Sequence, residues 1–196
     1  MFDFAMMTAA METETERIAR GLRRRDVALL HQLVEEYQYR LVRYLIYLTG
    51  RRDYIDDIVQ ETWLRVVERG SSYDGRLRFE PWLFSIARNL TIDQLRKKQG
   101  ISLNDTEDEA EFRLPVSNAP SPFEMAARTE DAERMAQSLQ TLDPIYREAL
   151  LLRFQEDLSL QEIAGIVKAP VPTVSSRIHR GLQMLRTQLE RDPNAN

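Results

Sequence analysis

Between Asp26 and Leu48 the apolar positions fall at Val27, Leu30, Leu33, Val34, Tyr37, Leu41, Tyr44, Leu45 and Leu48, the three-and-four spacing of one helical face. A Gly50-Arg51-Arg52 break follows, and Asp53 is placed to cap a second helix. In that helix Ile55, Ile58, Val59, Thr62 and Val66 form an inner stripe, while Asp56, Asp57, Gln60, Glu61 and Arg65 point outward. Pro81 then stands where a helix accepts proline, in its first turn, and the run from Trp82 to Lys98 contains no breaker.

The pattern lapses over residues 101–122, where Asn, Asp, Glu, Ser and three prolines occur without a period, the composition of a flexible linker. Beyond it, residues 122–142 and 144–154 read as helices. Ser159-Leu160-Gln161-Glu162 is a capping box, in which hydroxyl and carboxylate satisfy each other's free backbone N–H groups. It opens a short helix from Leu160 to Lys168, followed by the turn Ala169-Pro170-Val171-Pro172 and a last helix from about Thr173 to Arg191. No strand pattern and no internal repeat is present, so the expected class is all-α. The 196 residues divide into an N-terminal extension (1–19), a helical module (20–99), an acidic linker (100–133), a second helical module (134–191) and a tail (192–196).

Charge sharpens this division. The net charge of −4 taken whole argues against a nucleic-acid binder. Residues 20–99, however, carry 16 Lys and Arg against 11 Asp and Glu, a net of +5, and residues 160–191 carry 5 against 2, a net of +3. Residues 104–133 carry 2 against 9, a net of −7, so two basic modules flank an acidic bridge. With 43% hydrophobic and 30% charged residues the chain supports packed cores under a charged surface. It has no cysteine, which excludes disulfides, thiolate zinc sites and cysteine nucleophiles. The first ten residues lack the basic start of a secretory signal, and no stretch approaches the roughly 18 apolar residues of a membrane span. A cytoplasmic protein is expected.

The last two helices have the layout of a helix-turn-helix DNA reader. At 100° per residue, Val174, Ile178, Leu182, Leu185 and Leu189 form one apolar stripe, while Ser176, His179, Arg180, Gln183 and Thr187 occupy the opposite side. Arg177 lies between the two and suits a phosphate. Taken alone, such a helix reads as an ordinary solvated surface element. The capped helix before it, the tight turn and the regional positive charge favour DNA.

In the first module, aromatic residues Tyr73, Phe79, Trp82 and Phe84 are interleaved with Arg76, Arg78, Arg88, Arg96, Lys97 and Lys98, a mixture suited to single-stranded nucleic acid. Phe79 and Leu83 read as core. For Tyr73 and Trp82 core and base platform stand level. The acids of the second helix lack a nearby histidine and point apart, so neither enzyme chemistry nor a metal or cofactor is expected; a docking face for a partner is the better account, and it stands level with a plainly solvated face.

The stretches DDIVQETWLRV and FEPWLFSIARNLTIDQLRKK resemble region 2 of the extracytoplasmic-function (ECF) sigma factors, and LSLQEIAGIVKAPVPTVSSRIHRGLQMLR resembles their region 4. The resemblance implies a non-enzymatic specificity subunit of RNA polymerase, with core polymerase and promoter DNA as partners and an anti-sigma protein as inhibitor. By the same resemblance Asp56, Asp57, Gln60 and Glu61 dock on the clamp helices of the polymerase's largest subunit. Tyr73, Trp82, Ile86, Asn89 and Arg96 read the melted minus-ten element, with Tyr73, Ile86 and Asn89 lining a pocket for a flipped base. Ser175, Ser176, Arg177, His179 and Arg180 meet the minus-thirty-five element as duplex. The usual glycine before Thr173 is Pro172 here, which removes a backbone N–H at the helix start, and Ser175 stands where a basic residue is common. A stand-alone helix-turn-helix regulator and a nuclease are the rival readings. Tight binding to a palindrome marks the first, and metal-dependent cleavage marks the second.

Overall fold

The computed structural model describes residues 13–98 and 130–191, and every regular element among them is helical. Its helices are α1 (Glu14–Arg24), α2 (Val27–Thr49), α3 (Ile55–Arg69), α4 (Phe79–Lys98), α5 (Glu130–Thr141), α6 (Pro144–Leu150), α7 (Leu160–Val167) and α8 (Val171–Arg191). Most of the acidic stretch, the start of the 122–142 helix and the tail lie outside the described residues.

Helix α1 is an element that the hydrophobic pattern did not disclose, and the division at residue 19 runs through it. Thr13 and Glu16 form a capping box, with Glu16 N–H donating to Thr13 Oγ1 at 3.3 Å and Thr13 N–H to Glu16 Oε2 at 3.0 Å. Ile18, Ala19 and Leu22 are buried against α2 and the turn that follows α3. Asp26 caps α2 through its Oδ1, which accepts from the N–H groups of Ala28 and Leu29 at 2.9 and 3.2 Å.

The cap expected at Asp53 does not form. Its carboxylate takes the Arg51 guanidinium in a two-pronged pair at 3.1 and 3.2 Å, and α3 starts behind Tyr54 with no side-chain cap. A charge-assisted pair of this kind outcompetes a single bond from a neutral amide.

Two cores result. The first gathers Ile18, Leu22, Leu29, Leu33, Tyr37, Val66, Tyr73, Phe79 and Leu83 from α1 to α4. The second runs through both halves: Leu41, Tyr44, Leu45, Phe84, Ala87 and Leu95 pack in one cluster with Leu142, Leu151, Leu152, Ile163 and Ile166. The two helical modules thus lie against each other, α4 on α7 and α2 on α6.

Helix α6 ends in a π turn over Leu151–Gln155, in which Glu156 N–H reaches back five residues to the Leu151 carbonyl at 3.1 Å. The extra residue leaves Glu156 inside the molecule, 1% exposed. Gly181 allows α8 to approach α6 closely, since a Cβ there would stand 3.1 Å from Leu150 Cδ1.

Candidate nucleic-acid interface

The C-terminal reader is built from local rules. The Ser159 capping box closes as expected, with Ser159 N–H donating to Glu162 Oε2 at 2.7 Å and Glu162 N–H to Ser159 Oγ at 3.3 Å. Lys168 takes the left-handed conformation, φ 53°, and ends α7. The turn is shorter than the sequence suggests, because α8 begins at Val171 and its first turn absorbs Pro172. A proline there removes an N–H that has no intrahelical partner in any case, and the Pro170 carbonyl accepts the first helical bond from Val174 N–H at 3.1 Å. Val174, Ile178 and Leu185 are buried as the stripe predicts, whereas Leu182 is exposed.

Ser176, His179 and Arg180 are exposed on the opposite side, Ser175 is exposed at one edge of the apolar stripe beside Leu182, and Arg177 is half-buried at the other edge. Among the described residues neither Arg177 nor Arg180 has a hydrogen bond or ion pair. No carboxylate neutralises them, so both guanidinium groups remain available to phosphate or to a base edge.

On α4, Trp82, Ile86, Asn89 and Arg96 fall within about 80° of arc at 100° per residue. Trp82 and Ile86 are half-buried, and Asn89 and Arg96 are exposed. Tyr73 lies against Trp82, 3% exposed, its ring 5.6 Å from Phe79 and 5.4 Å from Trp82. Its hydroxyl donates to the Leu77 carbonyl at 2.6 Å, and burial pushes its pKa up to about 12. Of the two readings that the sequence left level for Tyr73, the structure places it in the core as the floor under Trp82.

Gly75 sets the loop that carries this floor. Its φ is +77°, and a Cβ there would stand 2.8 Å from the Thr15 carbonyl of α1, so α1 buttresses the segment between Tyr73 and α4.

Asp56, Asp57 and Gln60 project freely from α3, and Glu61 pairs with Arg65 at 2.8 Å. Two apolar residues that sequence reasoning passed over share this face: Leu64, 57% exposed, and Val67, 37% exposed. Both stand off the inner stripe of α3, and that offset was the available signal. Among the described residues no group of three or more His, Asp or Glu is placed to hold a metal ion, and no helix is long and apolar enough to cross a membrane.

Residues 33–101 match the family profile described as Sigma-70 region 2, and residues 132–185 match that described as Sigma-70, region 4. The chain is 30% identical over 184 residues to the ECF RNA polymerase sigma factor SigW of Bacillus subtilis, an alignment spanning 91% of this chain and 98% of the relative. It is also 30% identical over 165 residues to SigX of the same organism, covering 81% of this chain and 82% of that one. Among solved structures, CnrH in complex with the cytosolic domain of CnrY matches the fold at a TM-score of 0.66 and 23% identity over 91% of this chain and 99% of that one. The sigma factor RpoE of Bartonella quintana, solved with the anti-sigma factor NepR, matches at 0.66 and 24% identity over 83% of this chain and 97% of that one.

Proposed function

The chain belongs to the extracytoplasmic-function branch of the sigma-70 family, subunits that direct RNA polymerase to promoters, and from this premise we propose how its surfaces divide the work. The exposed face of α8, with Ser175, Ser176, Arg177, His179 and Arg180, reads the minus-thirty-five element in the major groove. The face of α4, with Trp82, Ile86, Asn89 and Arg96 and with Tyr73 against Trp82, receives the melted minus-ten strand. The outer face of α3, with Asp56, Asp57, Gln60 and Glu61, docks on the clamp helices of the polymerase's largest subunit, and Leu64 and Val67 supply its apolar anchor.

The observation that carries this reading is the pairing of two faces, one in each half, whose hydrogen-bonding side chains are exposed and whose cations have no carboxylate partner among the described residues. Physically the two sites differ. On duplex, Arg180 can fork onto a guanine edge while Arg177 holds a phosphate. On melted DNA, the Trp82 and Ile86 surface supports an extruded base while the Asn89 amide meets its hydrogen-bonding edge, offsetting the few kcal/mol lost on unstacking. The chain supplies recognition and no bond-breaking chemistry, and it works in the cytoplasm, where its polymerase is. CnrH was solved in complex with the cytosolic domain of CnrY and RpoE in complex with an anti-sigma factor, and an inhibitory protein of that kind is the further partner proposed for this chain. We place the module boundaries at residues 99 and 134, with α1 serving the first module.

The test is run-off transcription with purified core polymerase on a genomic promoter library. Start sites sharing two spaced elements support the reading, and transcripts independent of the added chain refute it. With both halves matching one family in order, no observation favours a stand-alone regulator.

A further inference from the structure

Helix α1 clasps the loop after α3 at both of its ends. A Cβ on Gly70 would stand 3.0 Å from Leu22 Cβ, and one on Gly75 would stand 2.8 Å from the Thr15 carbonyl and 3.0 Å from Ala19 Cβ. Between these glycines lies Tyr73, whose N–H donates to the Gly70 carbonyl at 3.2 Å and whose ring meets Trp82 at 5.4 Å. The ends of α1 and α3 are thus joined to the α4 face through a single loop.

Arginines crowd this junction. Arg23 and Arg24 close α1, Arg25 follows them and Arg69 closes α3, and all are exposed. Arg23 follows Leu22 and Arg69 precedes Gly70, so the cations of the two helices arise from backbone segments in direct contact. Among the described residues no side-chain hydrogen bond or ion pair holds any of them. The carboxylates beside them are engaged elsewhere: Asp26 with the N–H groups of Ala28 and Leu29, Glu68 with Arg65 at 3.0 Å and Asp74 with Arg76 at 3.4 Å.

Helix dipoles account for part of this charge, because they favour cations in a last turn. They do not account for Arg25. It is the left-handed residue that ends α1, φ 53°, at a position where glycine is favoured and a Cβ is disfavoured. Uncompensated like charges around it add mutual repulsion. Fold stability gives no reason for an arginine there, whereas a polyanion does.

We propose that Arg23, Arg24, Arg25 and Arg69 form a phosphate-binding ridge that extends the minus-ten site along the melted DNA strand. Helix α1 then has two tasks, as the buttress of the Tyr73 loop and as the carrier of the ridge. The proposal rests on the α4 face assigned above: a strand with a base on Trp82 carries its neighbouring phosphates across the loop and onto the ridge. Guanidinium groups suit this role, since they fork onto phosphate oxygens and stay charged at every physiological pH. Phosphate contacts hold no base information, so the ridge sets affinity and salt dependence while the α4 and α8 faces set sequence preference.

The experiment measures binding of the full chain, assembled with core polymerase, to a forked promoter DNA whose non-template strand is single-stranded from the minus-ten element onward, over a series of salt concentrations. Arg23→Gln/Arg24→Gln/Arg25→Gln/Arg69→Gln is expected to lower the slope of log affinity against log salt by about 2–3, since each single-strand phosphate contact contributes about 0.7. Its ranking of single-base promoter variants is expected to match the parent's. Neutral methylphosphonates in the overhang are expected to weaken binding by the parent and to leave the ridge variant almost unchanged. Arg25→Gly guards against a folding defect: it is expected to raise the melting temperature while lowering the salt slope by about 0.7. A parental slope in the ridge variant, or an equal loss on charged and neutral overhangs, overturns the ridge. So does weakened binding of the variant to core polymerase without DNA, which would assign these arginines to an acidic protein surface. Asn89→Ala separates the two claims. If it is defective and the ridge variant is normal, the ridge fails and the α4 face stands; the reverse result upholds the phosphate ridge and removes the α4 face.

Discussion

Tyr44 and Glu148, 104 residues apart in the chain, share a 2.8 Å hydrogen bond in the interior, the hydroxyl donating to the carboxylate. Burial, and next the Glu148 charge, push the Tyr44 pKa well above its ordinary value, so the hydroxyl remains a donor at every physiological pH. The same carboxylate is held by Arg88 at 2.7 Å, so three groups from three helices depend on one another.

Truncating the members of this trio is therefore expected to have unequal effects. Tyr44→Phe removes one donor and leaves the ion pair, a loss of about 1 kcal/mol. Glu148→Ala strands a buried guanidinium and is expected to destabilise by about 3–5 kcal/mol. Chemical denaturation of the full-length variants measures both, and equal losses would show that the trio does not act through the carboxylate.

Arg147 should behave as a structural cation. It is fully buried and donates to Tyr47 O at 3.1 Å, Gln140 Oε1 at 2.6 Å and Leu142 O at 3.1 Å. Desolvation lowers its pKa to about 10, which still leaves it charged at neutral pH. Arg147→Ala is expected to destabilise by about 3 kcal/mol or more, because acceptors in two elements lose their donor together. Arg147→Lys is expected to recover little, since an ammonium lacks the planar fork that spans them. Thermal melts of the two variants decide this.

At the α4 face, Asn89→Ala is expected to lower formation of the melted promoter complex at least tenfold while core-polymerase affinity changes less than twofold. Permanganate reactivity of unpaired thymines reports the first and a pull-down titration the second. Normal melting in the variant would remove Asn89 from the site.

On α8, Arg180→Ala is expected to lose about 1–3 kcal/mol of discrimination at one base pair of the duplex element. Arg177→Ala is instead expected to weaken binding evenly across sequences and to reduce the salt slope by about 1. Affinities of the holoenzyme over a series of single-base promoter variants at two or more salt concentrations separate these roles.

On α3, Leu64→Ala is expected to weaken core-polymerase binding about tenfold with stability almost unchanged, because the side chain is exposed in the free chain and the proposed docking would bury it. A variant that binds core as tightly as the parent would leave the docking face purely polar.

Much of this was legible along the chain. The α2 and α3 stripes, the Ser159 capping box and the opposed faces of α8 follow from period and spacing, because each is decided within a few residues. Helix α1 was missed, since Ile18, Ala19 and Leu22 are too few to stand out beside the arginines around them, and their burial depends on α2 and on the turn after α3. The expected Asp53 cap failed because a competing guanidinium stands two residues away. Tyr73 was ambiguous for a related reason: an aromatic residue among cations looks the same whether its ring faces a base or, as here, Phe79.

The sequence by itself determined the helices, their caps, the order of the two modules and the family, because these rest on short-range periodicity and on residues in register. The tertiary structure alone decided that Glu148 and Glu156 lie in the interior, held by tyrosine and arginine side chains of the N-terminal half. Their partners lie 60 to 116 residues away, and a carboxylate's surroundings, not its neighbours in sequence, decide whether its charge is hydrated or held by arginine.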